Sequence, residues 1–510
     1  MTTTHRLLVS LIVTVWGVGS LAQGPQVNAA SPKGSIAERY DLIVVGLGSG
    51  GFGAALAAGR ARLSVLCLEK ADRIGGNAVR AGVSMWEPGV GGTGFPFEIY
   101  RRLKPRDQAV GIYSFGRHIS WDGWSAFPGG EHVIDPNRRY ADTQQRHRGP
   151  DGPPDAAFRK AYWHGVIFEP RAYEQMLTDM LAETGHVTVL RGTTFTKVEH
   201  ENGRITALHL TNGRRVRARF FVDATGGGAL CKACGCEMMF GQEARARFAE
   251  PSAPEAPNDK INGVTLIFRI TPVEGRRIEP LPQGVPADCW WGRFPAMSAV
   301  RYPNGDYNCN MLPTMEGAEF AKQPYDQAYQ ECLRRVRAFW HHVQRRWPEF
   351  QGYRISWIAP ALGVRETTRV VTEYILTEHD IRAGLAGQAH PDIVAIADHA
   401  LDRHGAGGGA YEVEQPYGIP YRSLVPKGMT NLLIACRGAG FSSLAASSCR
   451  LSRTMMQLGQ AAGIAVALAK ELSLDLPDIP PERLCAILRD QDVELQWPRT
   501  MAIELHLKLE

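Results

Sequence analysis

Gly46-x-Gly48-x-x-Gly51 is the part of this chain best suited to chemistry on a phosphate. It follows an apolar run, Leu42 to Val45, and opens an alanine-rich helical pattern that reaches about Ala61. A second apolar run, Leu63 to Leu68, ends in the acid Glu69. Each residue type has a physical reason. Gly46 permits a tight turn out of a strand, Gly48 lets a pyrophosphate approach bare backbone, and Gly51 lets the helix pack closely on the sheet. The pyrophosphate then meets unpaired N–H groups at a helix N-terminus. A carboxylate about 20 residues on accepts hydrogen bonds from ribose hydroxyls, which assigns Glu69. The unit predicts dinucleotide binding.

Other residues offer proton transfer or anion binding. Arg365 and Arg369 stand four apart in Gly363-Val364-Arg365-Glu366-x-x-Arg369, on one face if the segment is helical. Two rigid guanidinium forks suit a carboxylate or another oxygen-rich substrate. The alternative is a buried ion-pair girdle with Glu366 inside it. Asp402-x-His404 precedes the glycines of residues 405–409, where a histidine can act as general base or cap the loop. Arg437 and Arg450 flank the C-terminal segment and either neutralise a cofactor or substrate or serve the structure. Cys231-x-x-Cys234-x-Cys236 lacks a second cluster with ligand spacing, so no metal site is expected. Arg334, Arg335, Arg337, Arg345 and Arg346, with His341 and His342, read as a solvated basic helix face.

The elements that must position these groups are legible in outline. Apolar positions Tyr173, Met176, Leu177 and Met180 recur at helical spacing. Short strands follow at Val187 to Leu190, Thr194 to His200, Ile205 to Thr211 and Arg215 to Val222, the last three separated by Asn202-Gly203 and Asn212-Gly213. This β-meander runs into Asp223-Ala224-Thr225-Gly226. Pro136 to Asp155 reads as a surface loop. Helices are expected over Tyr325 to Trp347 and Asp392 to Arg403, a strand over Asn431 to Cys436, and a helix from about Arg453 to Glu471. The fold class is therefore α/β: a Rossmann-like domain of parallel sheet plus β-meander, with an inserted α+β substrate lobe. The expected boundaries are 38–240 for the first part of the dinucleotide domain and 241–411 for the lobe. A return segment covers 412–475 and a helical tail 476–510.

With 510 residues the chain exceeds one compact core. Charged residues make up 21% and the net charge is +5, spread along the sequence, which gives no reason to invoke nucleic acid. Leu7 to Ala22 is nearly unbroken apolar sequence followed by small residues, and it reads as a secretory signal peptide within residues 1–29. Export to the periplasm or exterior is expected, with no stable membrane insertion after cleavage.

The three separated motifs (Gly46 to Gly76, Val222 to Gly226 and Leu432 to Gly463) resemble FAD-dependent oxidoreductases of the glutathione-reductase-like superfamily. Gly82 to Gly94, Gly363 to Ile381, Gly418 to Gly428, Leu401 to Gly405 and Arg453 to Ala469 narrow this to a bacterial FAD-dependent oxidoreductase family distantly similar to fumarate reductase flavoproteins. The resemblance spans about residues 40 to 495. It implies FAD as cofactor. Gly46, Gly48 and Gly51 would lie at the pyrophosphate, and Glu69 at the ribose. Gly75, Gly76 and Asn77 would run towards the flavin, Val198 would contact adenine through its backbone, and Ala224, Thr225 and Gly226 would close over the cofactor. Arg437 would lie beside it, and Gly459, Ala461 and Ala462 would lie at a helix start near the pyrimidine. His404, Arg365 and Arg369 would carry catalysis on a small polar substrate, an organic acid or sugar-like alcohol, by hydride exchange with flavin N5. A non-catalytic exported flavoprotein or electron-transfer subunit with a redox partner is the other reading. Where the family often has a histidine, this chain has Ser443. No histidine follows Gly75-Gly76, so a covalent histidyl–flavin link is not implied.

Overall fold

In the computed structural model, Arg39–Val45 is the centre of a parallel sheet. It pairs with Val65–Glu69 on one side and Arg215–Asp223 on the other. Val187–Arg191 extends the sheet beyond Val65–Glu69, and Leu432–Ile434 beyond Arg215–Asp223. In chain order this is 3-2-1-4-5, the doubly wound arrangement in which ligands lie at the carboxyl ends of the strands. The described residues are 37–114, 119–120, 134–148, 155–287, 296–311, 313–403 and 410–510. Leu7 to Ala22, His404 and residues 405–409 lie outside them. No helix among the described residues is long and apolar enough to cross a membrane.

The meander takes its expected place: Phe195–Glu201, Arg204–Leu210 and the start of Arg215–Asp223 pair antiparallel. Asn202 and Gly203 both have positive φ, 49° and 71°, as a two-residue hairpin turn matching the strand twist requires. Helix Ser49–Arg60 covers the sheet next to the first strand. Its glycines each cost about 1 kcal/mol of helix propensity relative to alanine. Packing compensates, because Gly50 to Gly59 are all buried and the helix lies against Ser452–Leu472.

A second, antiparallel sheet of five strands runs in the order Tyr353–Ile358, Phe268–Pro272, Tyr307–Met311, Ala296–Arg301, Ile119–Ser120. The long helix Tyr325–Arg346 lays Cys332, Val336, Phe339, Trp340 and Val343 on its apolar face. That helix is less solvated than its charges suggest. Arg335 is buried with Glu319 and Glu331 as partners, at Nη2–Oε1 2.5 Å and Nε–Oε1 2.8 Å, and His342 is buried beside it.

Two further expectations fail. The segment expected as a helix over Asp392 to Arg403 holds strand Ile393–Ala397, paired antiparallel with Tyr417–Pro420, and strand Leu401–Asp402, paired with Ala410–Tyr411. Its short apolar run with Ile393, Val394 and Ile396 fits either state by periodicity, and pairing decides it. Within the expected surface loop 136–155, Tyr140–Gln144 forms a buried turn, and Arg146 and His147 are buried after it. Tyr140 packs against Phe97 and Trp86, so aromatic burial outweighs the polar composition around it.

Candidate active site

The glycine turn sits at the carboxyl end of the central strand. Gly46 has φ of 91°, and a Cβ there would lie 2.5 Å from the Ala224 carbonyl oxygen. The Leu47 and Ala71 amides donate to Glu69, at 2.8 and 2.9 Å, which fixes its carboxylate at the rim of the turn. The Gly75 amide donates to the Leu47 carbonyl at 2.8 Å and draws the next turn alongside. A Cβ on Gly76 would lie 2.9 Å from Gly48 Cα, whereas nothing lies within 4 Å of the Cβ position of Gly48. The turns thus leave an open cradle of bare backbone at Gly48, ahead of a helix N-terminus, as a pyrophosphate requires. The Asp223 carboxylate, fully buried, accepts from the Thr225 amide and hydroxyl and from the Cys231 amide. That holds Ala224, Thr225 and Gly226 beside the glycine turn. These residues fit an FAD.

Two groups of expected cofactor residues stand elsewhere. Gly192 and Thr193 are the residues beside Glu69, through Thr193 N–H to the Glu69 carbonyl at 3.0 Å. Val198 lies five residues on, within strand Phe195–Glu201, and borders a cleft shared with Arg39 and Asn431. Gly459, Ala461 and Ala462 lie in the middle of helix Ser452–Leu472, which starts seven residues before Gly459. A Cβ on Gly459 would lie 1.9 Å from the Gly50 carbonyl oxygen, so this glycine serves helix contact.

The start of that helix, Leu451 and Ser452, borders a cavity of about 110 Å³ together with Asn77, Glu87, Arg365, Asp402, Arg437 and Arg450. Asn77 is held there by donating to the Val364 carbonyl at 3.0 Å. Arg450 pairs with Asp402 at 2.8 Å. Arg365 donates to the Gly263 carbonyl at 2.9 Å and the Thr265 hydroxyl at 2.6 Å, and has no carboxylate partner among the described residues. Among the described residues, Arg437 likewise has only the Arg450 carbonyl, at 3.1 Å. Burial, together with the Arg450 and Arg437 charges, depresses the Arg365 guanidinium to about 9. Burial and Arg450 depress Arg437 to about 10. The cavity is short of negative charge. Asn310 Oδ1, also at the cavity, is buried without a donor among the described residues. Burial pushes the Glu87 carboxyl up, but His399 and Arg146 outweigh it and hold the group down to about 2.

Arg365 and Arg369 therefore part company. Residues 363–368 are not helical, and Arg369 is fully buried in a strand. It donates to the Phe441 and Gly241 carbonyls at 3.1 and 2.7 Å, meets Glu243 at 2.6 Å and pairs with Glu366. The girdle reading holds for Arg369, and it does not border the cavity. Glu87, Asn310 and His399 carried no sequence signal. Glu87 sits unmarked in a glycine-rich stretch, and His399 lies in the segment whose period reads equally well as helix.

The sequence profile of the FAD dependent oxidoreductase family matches residues 41–488, and the chain belongs to that family. It is an FAD-dependent enzyme. Among solved structures it is similar to a geranylgeranyl bacteriochlorophyll reductase-like protein from Thermoplasma acidophilum, at 14% identity over 93% of this chain and 96% of that one, with a TM-score of 0.43. It is also similar to L-amino acid deaminase from Proteus myxofaciens, at 13% identity over 89% and 94%, with a TM-score of 0.41. Anhydrotetracycline hydroxylase from Streptomyces rimosus aligns at 14% identity over 89% and 66%, with a TM-score of 0.38. No curated protein matches the sequence.

Proposed function

We propose that this enzyme oxidises or reduces a small carboxylic acid held in the arginine-lined cavity. One observation carries the reading: Arg365 and Arg437 border one cavity, both buried enough to be depressed, and neither has a carboxylate partner among the described residues. An anion there restores the charge balance and accepts paired N–H donors. Bound FAD supplies the two-electron chemistry, exchanging a hydride at N5. The chain's own part is to hold the substrate carboxylate with Arg365, to neutralise the cofactor side with Arg437, and to offer Asn310 Oδ1 to a donor. The two guanidinium groups at the cavity favour an organic acid over a sugar-like alcohol. Arg365→Ala is expected to keep FAD and raise KM about 10–100-fold with a smaller fall in kcat, the pattern of a lost charge-assisted contact. Steady-state kinetics with FAD content measured in parallel check it, and an unchanged KM contradicts it. The apolar run at Leu7 to Ala22 supports export, and loss of about 22 to 30 residues from the native N-terminus would be its signature.

A further inference from the structure

We propose that Glu87 and His399 form the proton-transfer pair of this cavity, with Glu87 facing the substrate and His399 behind it as its positioning and proton-holding partner. The inference rests on the reading of the cavity as the substrate site. Glu87 borders the cavity, and its Oε2 lies 3.4 Å from His399 Nε2. The imidazole is buried, and its Nδ1 has no partner among the described residues. His399 lies between strands Ile393–Ala397 and Leu401–Asp402 and does not itself border the cavity, so it acts through Glu87.

Among the described residues, the surroundings leave this pair as the free route. Arg146 stands 3.7 Å from Glu87 and 2.9 Å from Glu412, stacked over the Trp163 ring. Asp398 is taken by the Val90 amide and by His147, at 3.2 and 3.5 Å. Asp402 is paired with Arg450. Arg365 faces the same cavity, Arg453 holds the Glu87 carbonyl, and the Tyr113 hydroxyl feels the Glu87 charge. Glu87 is held anionic by its neighbours. It can accept a proton only transiently, and His399 Nε2, 3.4 Å away, is the atom placed to take that proton onward.

The chemistry balances for an acid carrying an oxidisable hydroxyl. The O–H bond breaks, and its proton passes through Glu87 to His399 Nε2. The C–H hydrogen leaves with its electron pair to the FAD oxidant, and the carbon–oxygen bond becomes a carbonyl. Glu87 ends as the carboxylate it began as. In the reverse direction His399 returns the proton.

The test uses the FAD-loaded protein with the variants Glu87→Gln and His399→Gln, acetate as an unreactive probe, and lactate, malate, tartrate and gluconate as oxidisable ones. Both variants are expected to retain FAD and still bind acetate, Glu87→Gln at least as tightly as the parent because it removes a negative charge from the cavity. Anaerobic flavin bleaching should slow by roughly 10²–10⁴-fold, and the fall of the parent's rate at low pH should vanish. In ¹⁵N-histidine-labelled protein, the His399 ring signals should move both on Glu87→Gln and on acetate binding. Bleaching at the parent rate with an unchanged pH profile in either variant overturns the pair. So do His399 signals that respond to neither change. If they respond while no hydroxy acid bleaches the parent's flavin, the pair stands and the substrate reading falls.

Discussion

Arg365 and Arg369 are the same residue type four positions apart, and their surroundings assign them different work. Arg369 is enclosed by Glu243, Glu366 and backbone carbonyls, with no solvent exposure. Removing one partner of such a network strands buried charge, which costs about 3–5 kcal/mol. Arg369→Ala is therefore expected to lower unfolding free energy by about that amount while the folded fraction keeps its KM, as denaturant unfolding and kinetics would show. A raised KM at unchanged stability would place Arg369 at the substrate instead. Arg365 has the opposite profile, with hydrogen bonds only to a carbonyl and a hydroxyl and a guanidinium facing the cavity. Nothing in Gly363 to Arg369 distinguishes the two, because the difference comes from Glu243, more than a hundred residues upstream.

At the scale of elements, the glycine turn with its flanking strands was legible and the cavity was not. Gly46 to Glu69 and Val222 to Gly226 signal their roles locally, through turn conformation, close backbone approach and a strand-terminal carboxylate. The cavity assembles from Glu87, Arg365, Asp402, Arg437 and Arg450, which no local spacing links. Ile393 to Ala397 reads as either state until Tyr417–Pro420 pairs with it. Gly459 was expected near the flavin because the family resemblance places a helix start there, whereas it lies inside helix Ser452–Leu472. The reason for a glycine there is the carbonyl of Gly50, which a Cβ would meet at 1.9 Å. Gly459→Val is thus expected to push the two helices apart, costing about 1–3 kcal/mol and weakening FAD retention, since helix Ser49–Arg60 presents its N-terminus to the pyrophosphate cradle. A denaturation midpoint and the flavin-to-protein ratio measure both effects. If neither moves, the contact is slack.

At the scale of the whole molecule, buried ionisable groups set the response to acid. Burial, helped by His341 and Arg345, depresses His342 from its ordinary 6.5 to about 4. Against the upward push of burial, His399 and Arg146 lower Glu87 from 4.5 to about 2. Both folded values lie below the unfolded ones, so each group's contribution is present above its unfolded value and lost as pH falls through its folded one. Tm should decline first between pH 6.5 and about 4 as His342 is titrated, then between 4.5 and about 2 through Glu87. His342→Gln should flatten the upper stage, and a parent Tm constant from pH 7 to 4.5 would contradict it. Arg365 and Arg437 impose the complementary expectation that an anion in the cavity stabilises the fold. The account turns on that cavity, and anaerobic titration of the FAD-loaded protein with small carboxylates reads it directly. It predicts that a carboxylate perturbs the flavin absorption band, that one carrying an oxidisable hydroxyl bleaches it, and that Arg365→Ala weakens both effects. A flavin spectrum indifferent to every carboxylate, in a protein that holds FAD fully, would contradict it.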